Sequence, residues 1–533
     1  MHNNLGIVIR SCRFSESTRG ITMKEYDLIS IGTGSAMYVV DAMLQTNPTF
    51  RVAIIDKDEP GGICLTRGCI PSKLLLYPAE MIRTIERANE FGIDVQLNKI
   101  DFNKVMERMR HHINEEINMI RSGLSESPKI DYYHDVAEFI EPYTLKVGND
   151  VVIRAKMIFL CTGSKPIIPA IKGLEDITYY TSDTILAMER VPESIAIVGG
   201  GYIAAEYGHF FSTMGSHVTI VGRNKQFLPY EETEISSLAK QELGNYMTII
   251  TNSEVIEVSS SITRRNDATD DDDVDANSKK SSDKTSHKQK ERTLLIARDM
   301  TTGERMTITV EEVLIAAGRG PNSDILHPER AGITTDENGW ITVDEYLETS
   351  QPNVWAFGDA NGVYPFKHKA NYEAGLVTYN AVLKNDQKNK VKKDYHAVPH
   401  GVFTYPEIAA VGLHEREALV KYGENNILLG IARYEDTAKG VAMGLKNFFV
   451  KVIVKADDLE LIGAHIIGPH ASVLIQEIVN IMYTQHERTM KPILSAMHIH
   501  PSLSEVVQRS VSSLMPPQHY HHLVTEHYGL SSG

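Results

Sequence analysis

One unit occurs twice in this chain and constrains its fold more than any other feature: a strand of continuous apolar residues, a glycine turn, a helix and a second strand. The first copy reads Tyr26-Asp-Leu-Ile-Ser-Ile-Gly32-Thr-Gly34-Ser-Ala-Met37, then a helix, then Arg51-Val-Ala-Ile-Ile-Asp56. The second reads Ser194-Ile-Ala-Ile-Val-Gly199-Gly-Gly201-Tyr202-Ile-Ala204-Ala-Glu206, then His217-Val-Thr-Ile-Val-Gly-Arg223. Strands apolar on both faces, joined by helical crossovers, belong in a parallel sheet covered on each side. The expected class is therefore α/β, with two Rossmann-like dinucleotide-binding domains. At 533 residues the chain is also too long for a single core.

Glycine at these turns has a chemical use. Gly32 and Gly34 let backbone N–H groups and a helix start approach a pyrophosphate, and Asp56 can accept from a ribose hydroxyl. The third position of this motif is Met37, so the close helix–strand contact must be made by another residue. Taken alone the motif decides little, because glycine turns are common in α/β proteins. The second motif is complete as GxGxxA through Gly199, Gly201 and Ala204. Its second strand ends at Arg223, where an NAD site places an acid. An arginine suits a 2′-phosphate, which favours NADPH over NADH; the competing reading is a plain surface cation.

Composition excludes other classes. A formal net charge of -15 argues against a chain built to coat nucleic acid, and no apolar run approaches the roughly 20 residues that span a bilayer. Only four cysteines are present, Cys12, Cys64, Cys69 and Cys161, which is far from a secreted disulfide scaffold and points to a reducing, cytoplasmic setting. Residues 1–23 are read as a disordered N-terminal extension, with Met23 an alternative start. Arg10, Arg13 and Arg19 also fit a transit peptide. From 259 to 292 the sequence turns acidic and then Ser- and Lys-rich, the composition of a disordered insert. Helices are expected near 103–124 and 471–485, and strands at Met157–Ser164, Val313–Arg319 and Asn353–Asp359. The histidines at 519, 521, 522 and 527 are expected in a solvated C-terminal tail, 516–533.

Cys64 and Cys69, in Gly61-Gly-Ile-Cys64-Leu-Thr-Arg-Gly-Cys69-Ile-Pro-Ser-Lys73, need a chemical reason for their clustering. A metal site would want further ligands at matching spacing. A structural disulfide closing so short a loop would add little. Reversible dithiol–disulfide chemistry remains. In a regular helix, residues five apart have Cα atoms about 8.6 Å apart, against the roughly 4.4–6.8 Å a disulfide needs. The segment must therefore break, and Gly68 and Pro71 are placed to bend it. Near the C-terminus, His500 with Glu505 five residues on offers the acid–base that thiol exchange requires.

On these motifs, with Phe-Gly358-Asp359, Phe403-Thr-Tyr-Pro-Glu-Ile408 and His500-Pro, the chain resembles the flavin-dependent pyridine nucleotide–disulfide oxidoreductases from about Tyr26 to Met515. The resemblance implies FAD and NADPH or NADH as cofactors and no metal. It implies an FAD-binding domain (24–165), a nicotinamide domain (166–318), a return to the FAD-binding and central region (319–395) and an α+β dimerisation domain (396–515). Cys69 would face the flavin and Cys64 would exchange with substrate. His500 with Glu505 would serve the partner subunit's cysteines, making a homodimer with a shared active site. Lys73 and Glu206 would pair beside the flavin, Asp359 would hold its ribityl chain, and Thr162 and Gly163 would line its site. Tyr202 would cover the flavin face that nicotinamide enters, and Gly318 would lie at the cofactor-binding strand end.

Within the family, the lack of an extra C-terminal cysteine pair argues against mercuric reductase. Leu376 stands where glutathione reductase has arginine. His498-x-His500-Pro-x-Leu-Ser-Glu505 looks most like dihydrolipoamide dehydrogenase, with mycothione reductase also close. The expected reaction is dihydrolipoamide oxidation. Reduction of another small disulfide by NADPH is the alternative, and a non-catalytic flavoprotein interaction subunit is the alternative of another kind.

Overall fold

The structure is a computed structural model that describes residues 23–263, 290–383, 389–484 and 488–527. Both repeated units form as expected. In the first, the strand Met23–Ile31 pairs in parallel with Val52–Asp56 on one side and Val151–Leu160 on the other. Ile130–His134 extends the sheet beyond Val52–Asp56, and an antiparallel meander, Ala137–Glu141 and Thr144–Val147, leads into Val151–Leu160. The later strand Val354–Ala356 joins the same sheet beside Val151–Leu160. Its turn therefore lands among the glycine turns of the first unit although some 300 residues separate them in sequence.

The second unit is an all-parallel five-stranded sheet in the order Thr248–Ile250, His217–Val221, Ser194–Val198, Glu312–Ile315, Tyr180–Thr181. The chain leaves the first sheet through Ser164–Pro166 and returns through Arg319–Pro321, and these two crossings pair with each other. A third sheet is antiparallel, His400–Val402, Ile408–Gly412, Leu461–Ile467, Phe449–Lys455 and Ile427–Arg433, with the helix Ala471–Met482 packed on it.

Local chemistry explains the long helix Phe102–Glu126. Asp101 caps it by accepting from the Lys104 N–H, and Phe102, Met106, Met109, Ile113 and Ile117 place one buried residue on the same face per turn. In the first unit Ala36 is fully buried at the helix start, whereas Met37 is only partly buried against the same core cluster.

Two expectations are corrected. The segment expected as a solvated tail holds a helix, Pro517–His527, in which Tyr520 and Val524 are fully buried. Within 259–292, residues at both ends belong to paired strands: Ser253–Thr263 runs antiparallel to Lys290–Asp299, with Thr263 opposite Lys290. A hairpin ladder recruits their backbone despite the polar sequence. The remainder of that insert, including Asp270 to Asp273, lies outside the described residues, as do residues 1–22 of the N-terminal extension expected over 1–23, while Met23 begins the first strand.

Candidate active site

The carboxyl ends of the first sheet open into one large cavity of about 1170 Å³. Most of the residues expected to act meet there. Gly32, Gly34, Asp56, Cys64, Cys69, Lys73, Thr162, Gly163, Tyr202, Glu206, Gly358 and Asp359 all line it.

At one end lie the glycine turns. Gly32 has φ +105°, and a Cβ there would meet the Cys161 carbonyl oxygen at 2.2 Å. A Cβ on Gly62 would meet the Gly34 Cα at 2.6 Å, so the redox segment sits directly against the first glycine turn. Asp56 closes its strand and accepts from the Thr33 N–H at 2.9 Å and from the Thr33 hydroxyl. Burial pushes its carboxyl above the ordinary range despite these donors.

The cysteines flank a helix break. Cys64 lies in the short helix Gly62–Thr66 and Cys69 opens the helix Cys69–Glu86, with Arg67 and Gly68 outside helical geometry between them. Both are free thiols. The hydrogen bond from Cys64, helped by the Lys73 ammonium, outweighs burial and holds Cys69 down to about 7. The same contact, together with burial, pushes Cys64 up. The two thiols thus share their protons unequally, with the anion on Cys69. Cys161 differs: burial raises its thiol well above the ordinary value, which makes it inert.

Lys73 comes from the second turn of that helix and lies 2.9 Å from both carboxylate oxygens of Glu206, itself buried in the helix Tyr202–Thr213. The Phe403 N–H also donates to Glu206, at 3.1 Å. On the opposite wall the Ser164 hydroxyl donates to Asp359 at 2.6 Å.

Not every expected residue enters this cavity. Gly199, Gly201, Ala204, Arg223 and Gly318 belong to the second unit, where a Cβ on Gly199 would strike the Ala316 carbonyl oxygen at 2.1 Å. Arg223 is exposed at the end of the strand His217–Val221. His500 and Glu505 pair at 2.9 Å, and the Ser502 N–H donates to the second Glu505 oxygen at 3.1 Å, yet neither residue lines the cavity.

Two residues of the cavity, Arg319 and Lys369, and a buried glutamate behind it were not read from the sequence. Arg319 donates to the Ser164 hydroxyl at 2.7 Å and to its carbonyl at 2.8 Å. Beneath the Asp359 turn, fully buried Glu373 accepts from the Gly358 N–H at 2.7 Å and from Lys369 at 3.0 Å, one helical turn away. The i,i+4 spacing of Lys369 and Glu373 was the one available clue.

Three features fit a flavin dinucleotide: the glycine cradle at the start of the helix Ala36–Thr46, the cavity's length past the cysteines, and the Thr162 hydroxyl, which is buried and has no hydrogen-bond partner. No helix of the described residues is long and apolar enough to cross a membrane. Of their carboxylates and imidazoles, only Glu232, Glu234 and Glu415 cluster as metal ligands would, and the Lys451 ammonium bonds all three at 2.7–3.0 Å.

Comparison with known proteins accords with this geometry. Residues 26–375 match the model of the pyridine nucleotide-disulphide oxidoreductases, and residues 398–511 match that family's dimerisation domain. Mycothione reductase of Mycobacterium tuberculosis is 32% identical over 499 residues, covering 92% of this chain and 100% of the relative. Dihydrolipoyl dehydrogenase of Chlamydia trachomatis is 32% identical over 494 residues, covering 90% and 95%. Among solved structures, the HOCl-induced flavoprotein disulfide reductase RclA of Escherichia coli, in its Cu(II) complex, superposes with a TM-score of 0.75 at 26% identity, covering 92% and 99%. The chain therefore belongs to the pyridine nucleotide-disulphide oxidoreductase family, enzymes that use FAD and NAD(P)H.

Proposed function

We propose that this protein moves two electrons between a nicotinamide and a small disulfide through Cys64 and Cys69, and that its substrate reaction is the oxidation of dihydrolipoamide. The observation that carries the reading is the cysteine pair itself: two free thiols across a helix break, in one cavity with Lys73–Glu206, with Cys69 held near neutrality as the anion.

FAD, when bound, supplies the two-electron carrier between nicotinamide and the cysteine pair. The other steps belong to the chain. With Cys64–Cys69 as a disulfide, a substrate thiolate attacks the Cys64 sulfur and releases Cys69 as the thiolate. The second substrate thiol, deprotonated by His500, attacks the substrate sulfur joined to Cys64 and frees Cys64, which takes up a proton. One dithiol becomes a disulfide and the cysteine pair becomes the dithiol, so electrons and protons balance. Glu505 orients the imidazole for this work. Lys73 and Glu206 would pair beside the flavin, Asp359 would hold its ribityl chain, Thr162 and Gly163 would line its site, and Tyr202 would cover the face that nicotinamide enters. In this reading 24–165 with 319–395 hold the flavin, 166–318 holds the nicotinamide nucleotide, and 396–515 brings two copies together so that His500 serves the other copy's cysteines.

A second reading, reduction of a low-molecular-weight disulfide by NADPH, is favoured by one observation. Arg223, Asn224 and Lys225 are all exposed where the second unit's ribose end must lie. Anaerobic titration of the FAD-loaded protein with NADH and with NADPH separates the cofactors by which one produces the long-wavelength flavin–thiolate absorption. A turnover panel of dihydrolipoamide against oxidised small thiols separates the substrates. Full disulfide turnover in Cys64→Ser would sink both readings.

A further inference from the structure

The only charged side chain between the two cysteines is Arg67, and the function above makes no use of it. It sits at the break between the two helices, its own backbone outside helical geometry at φ −153°, ψ 17°. Its guanidinium is largely buried and lies between two acids from different parts of the fold. Nη2 is 2.5 Å from Asp58 Oδ2, just past the end of the first unit's strand Val52–Asp56. Nε lies 3.1 Å from Asp183 Oδ2, an ion-pair contact without hydrogen-bond geometry. Asp183 follows the strand Tyr180–Thr181, which pairs into the second sheet, and its other oxygen lies 3.3 Å from Arg319. Arg319 in turn bonds Ser164, the donor to Asp359. The loop that separates the sulfurs is thus clamped to both dinucleotide units by charges that alternate in sign.

We infer that Arg67 is a positioning residue that sets the dithiol–disulfide equilibrium of Cys64 and Cys69 by pinning the loop between them to Asp58 and Asp183. The inference rests on the proposed redox role of the pair. The four residues between the thiols include a two-residue break, Arg67 and Gly68, whose alternative conformations separate the thiols, and closing the disulfide requires losing them. A guanidinium hydrogen-bonded to Asp58 and ion-paired with Asp183 reduces that freedom in advance, so the thiols meet at a higher effective concentration. The sign distinguishes this from a simple charge effect. Loss of the clamp disfavours the disulfide and raises the potential. Loss of a positive charge alone would destabilise thiolate, favour the disulfide and lower it.

The test is a redox titration of FAD-loaded protein in dithiothreitol buffers, read by alkylation of Cys64 and Cys69 and mass measurement after quenching. In Arg67→Met the equilibrium constant for closure should fall about tenfold, a rise of about 30 mV for this two-electron couple. Arg67→Lys, which keeps the charge but cannot span both acids, should rise by less. Asp183→Asn should add nothing in the Arg67→Met background, because the same link is already cut. If Arg67→Met fails to fold, the upward shift in Arg67→Lys carries the test alone. An unchanged or lowered potential in the folded variants overturns the clamp. If the wild-type protein itself shows no dithiol–disulfide transition, the role of the cysteine pair fails instead.

Discussion

Removing the Lys451 ammonium should destabilise the protein by about 3–5 kcal/mol at neutral pH, the usual cost of leaving a buried charge without its partner. Lys451 is fully buried, on the strand Phe449–Lys455, and lies 2.7 Å from Glu415, 2.9 Å from Glu232 and 3.0 Å from Glu234. Two of these carboxyls flank the start of the second unit's helix Thr233–Gly244, and Glu415 opens the helix Glu415–Tyr422. The C-terminal helix closes the same node, with the Tyr520 hydroxyl 3.3 Å from Glu234 and His521 2.7 Å from Glu415. His465, buried beside Glu232, is pushed down to about 4 by burial and is neutral at pH 7, so it cannot replace the lysine.

An independent figure comes from Glu232. Burial alone would raise its carboxyl, but the Lys451 charge, with the His465 charge and hydrogen bonds from Lys451 and the Glu415 N–H, overcomes that and holds it at about 2, from an ordinary 4.5. At about 1.4 kcal/mol per pH unit, that depression amounts to roughly 3 kcal/mol for the whole node, of which Lys451 is the largest favourable part. The sign with pH then differs between the two proteins. In wild type the folded value is below the unfolded one, so this stability is fully present above pH 4.5 and is lost as pH falls toward 2. In Lys451→Met, Glu232 loses the cation that opposes its burial and its folded value rises, so the defect is largest at high pH and shrinks on acidification. Urea denaturation of the FAD-loaded protein, followed by circular dichroism at about pH 7.5 and about pH 5.5, measures both effects. A variant as stable as wild type at the higher pH, or one whose defect does not shrink at the lower, would refute the reasoning.

Three further outcomes are expected. Cys64→Ala removes the hydrogen bond that does most to stabilise the Cys69 thiolate, so the pH at which the flavin–thiolate absorption appears should move up from about 7, read by spectrophotometric titration. Co-expression of Cys64→Ser and His500→Gln chains should restore roughly a quarter of wild-type turnover, from mixed dimers with one intact site, whereas purified dimers of either variant should have almost none. Arg223→Ala should raise KM for NADPH with little change for NADH if a 2′-phosphate lies at that strand end, as steady-state kinetics will read.

The parts of this fold legible in the sequence are those where backbone geometry dictates residue identity locally. Gly32 and Gly199 could be recognised because only glycine tolerates their positive φ against a carbonyl about 2 Å from the missing Cβ. The helix Phe102–Glu126 announced itself through its spacing of apolar residues, and the cysteines through a spacing no regular helix could close. What stayed hidden depends on distant segments. Lys451 finds its glutamates 219, 217 and 36 residues away, and Arg319 reaches Ser164 across 155, so neither pairing leaves a pattern in any window of sequence. The C-terminal helix was missed for a related reason. Its buried face is Pro517, Tyr520 and Val524 with Leu523 partly buried, a stripe opened by a proline and interrupted by histidines, which does not read as amphipathic from the sequence.

The placement of His500 bears on how many chains make one site. Its carboxylate partner is fixed, with Glu505 only 12% exposed and bonded to the imidazole and to the Ser502 N–H, whereas the imidazole itself is 68% exposed. Its neighbours are apolar and outward: Met497 is fully exposed, Ile499 78% and Leu494 39%. An oriented acid–base pair gains nothing from facing water, and large apolar side chains clustered around it raise the free energy of an isolated chain. Both costs vanish if a second copy covers this surface and places its own Cys64 against the imidazole. The segment lies within residues 398–511, matched by the dimerisation domain of the family. One chain thus carries the thiols in a cavity that His500 does not line, and carries the His500–Glu505 pair on an exposed surface. The shared-site proposal is the arrangement in which neither is wasted.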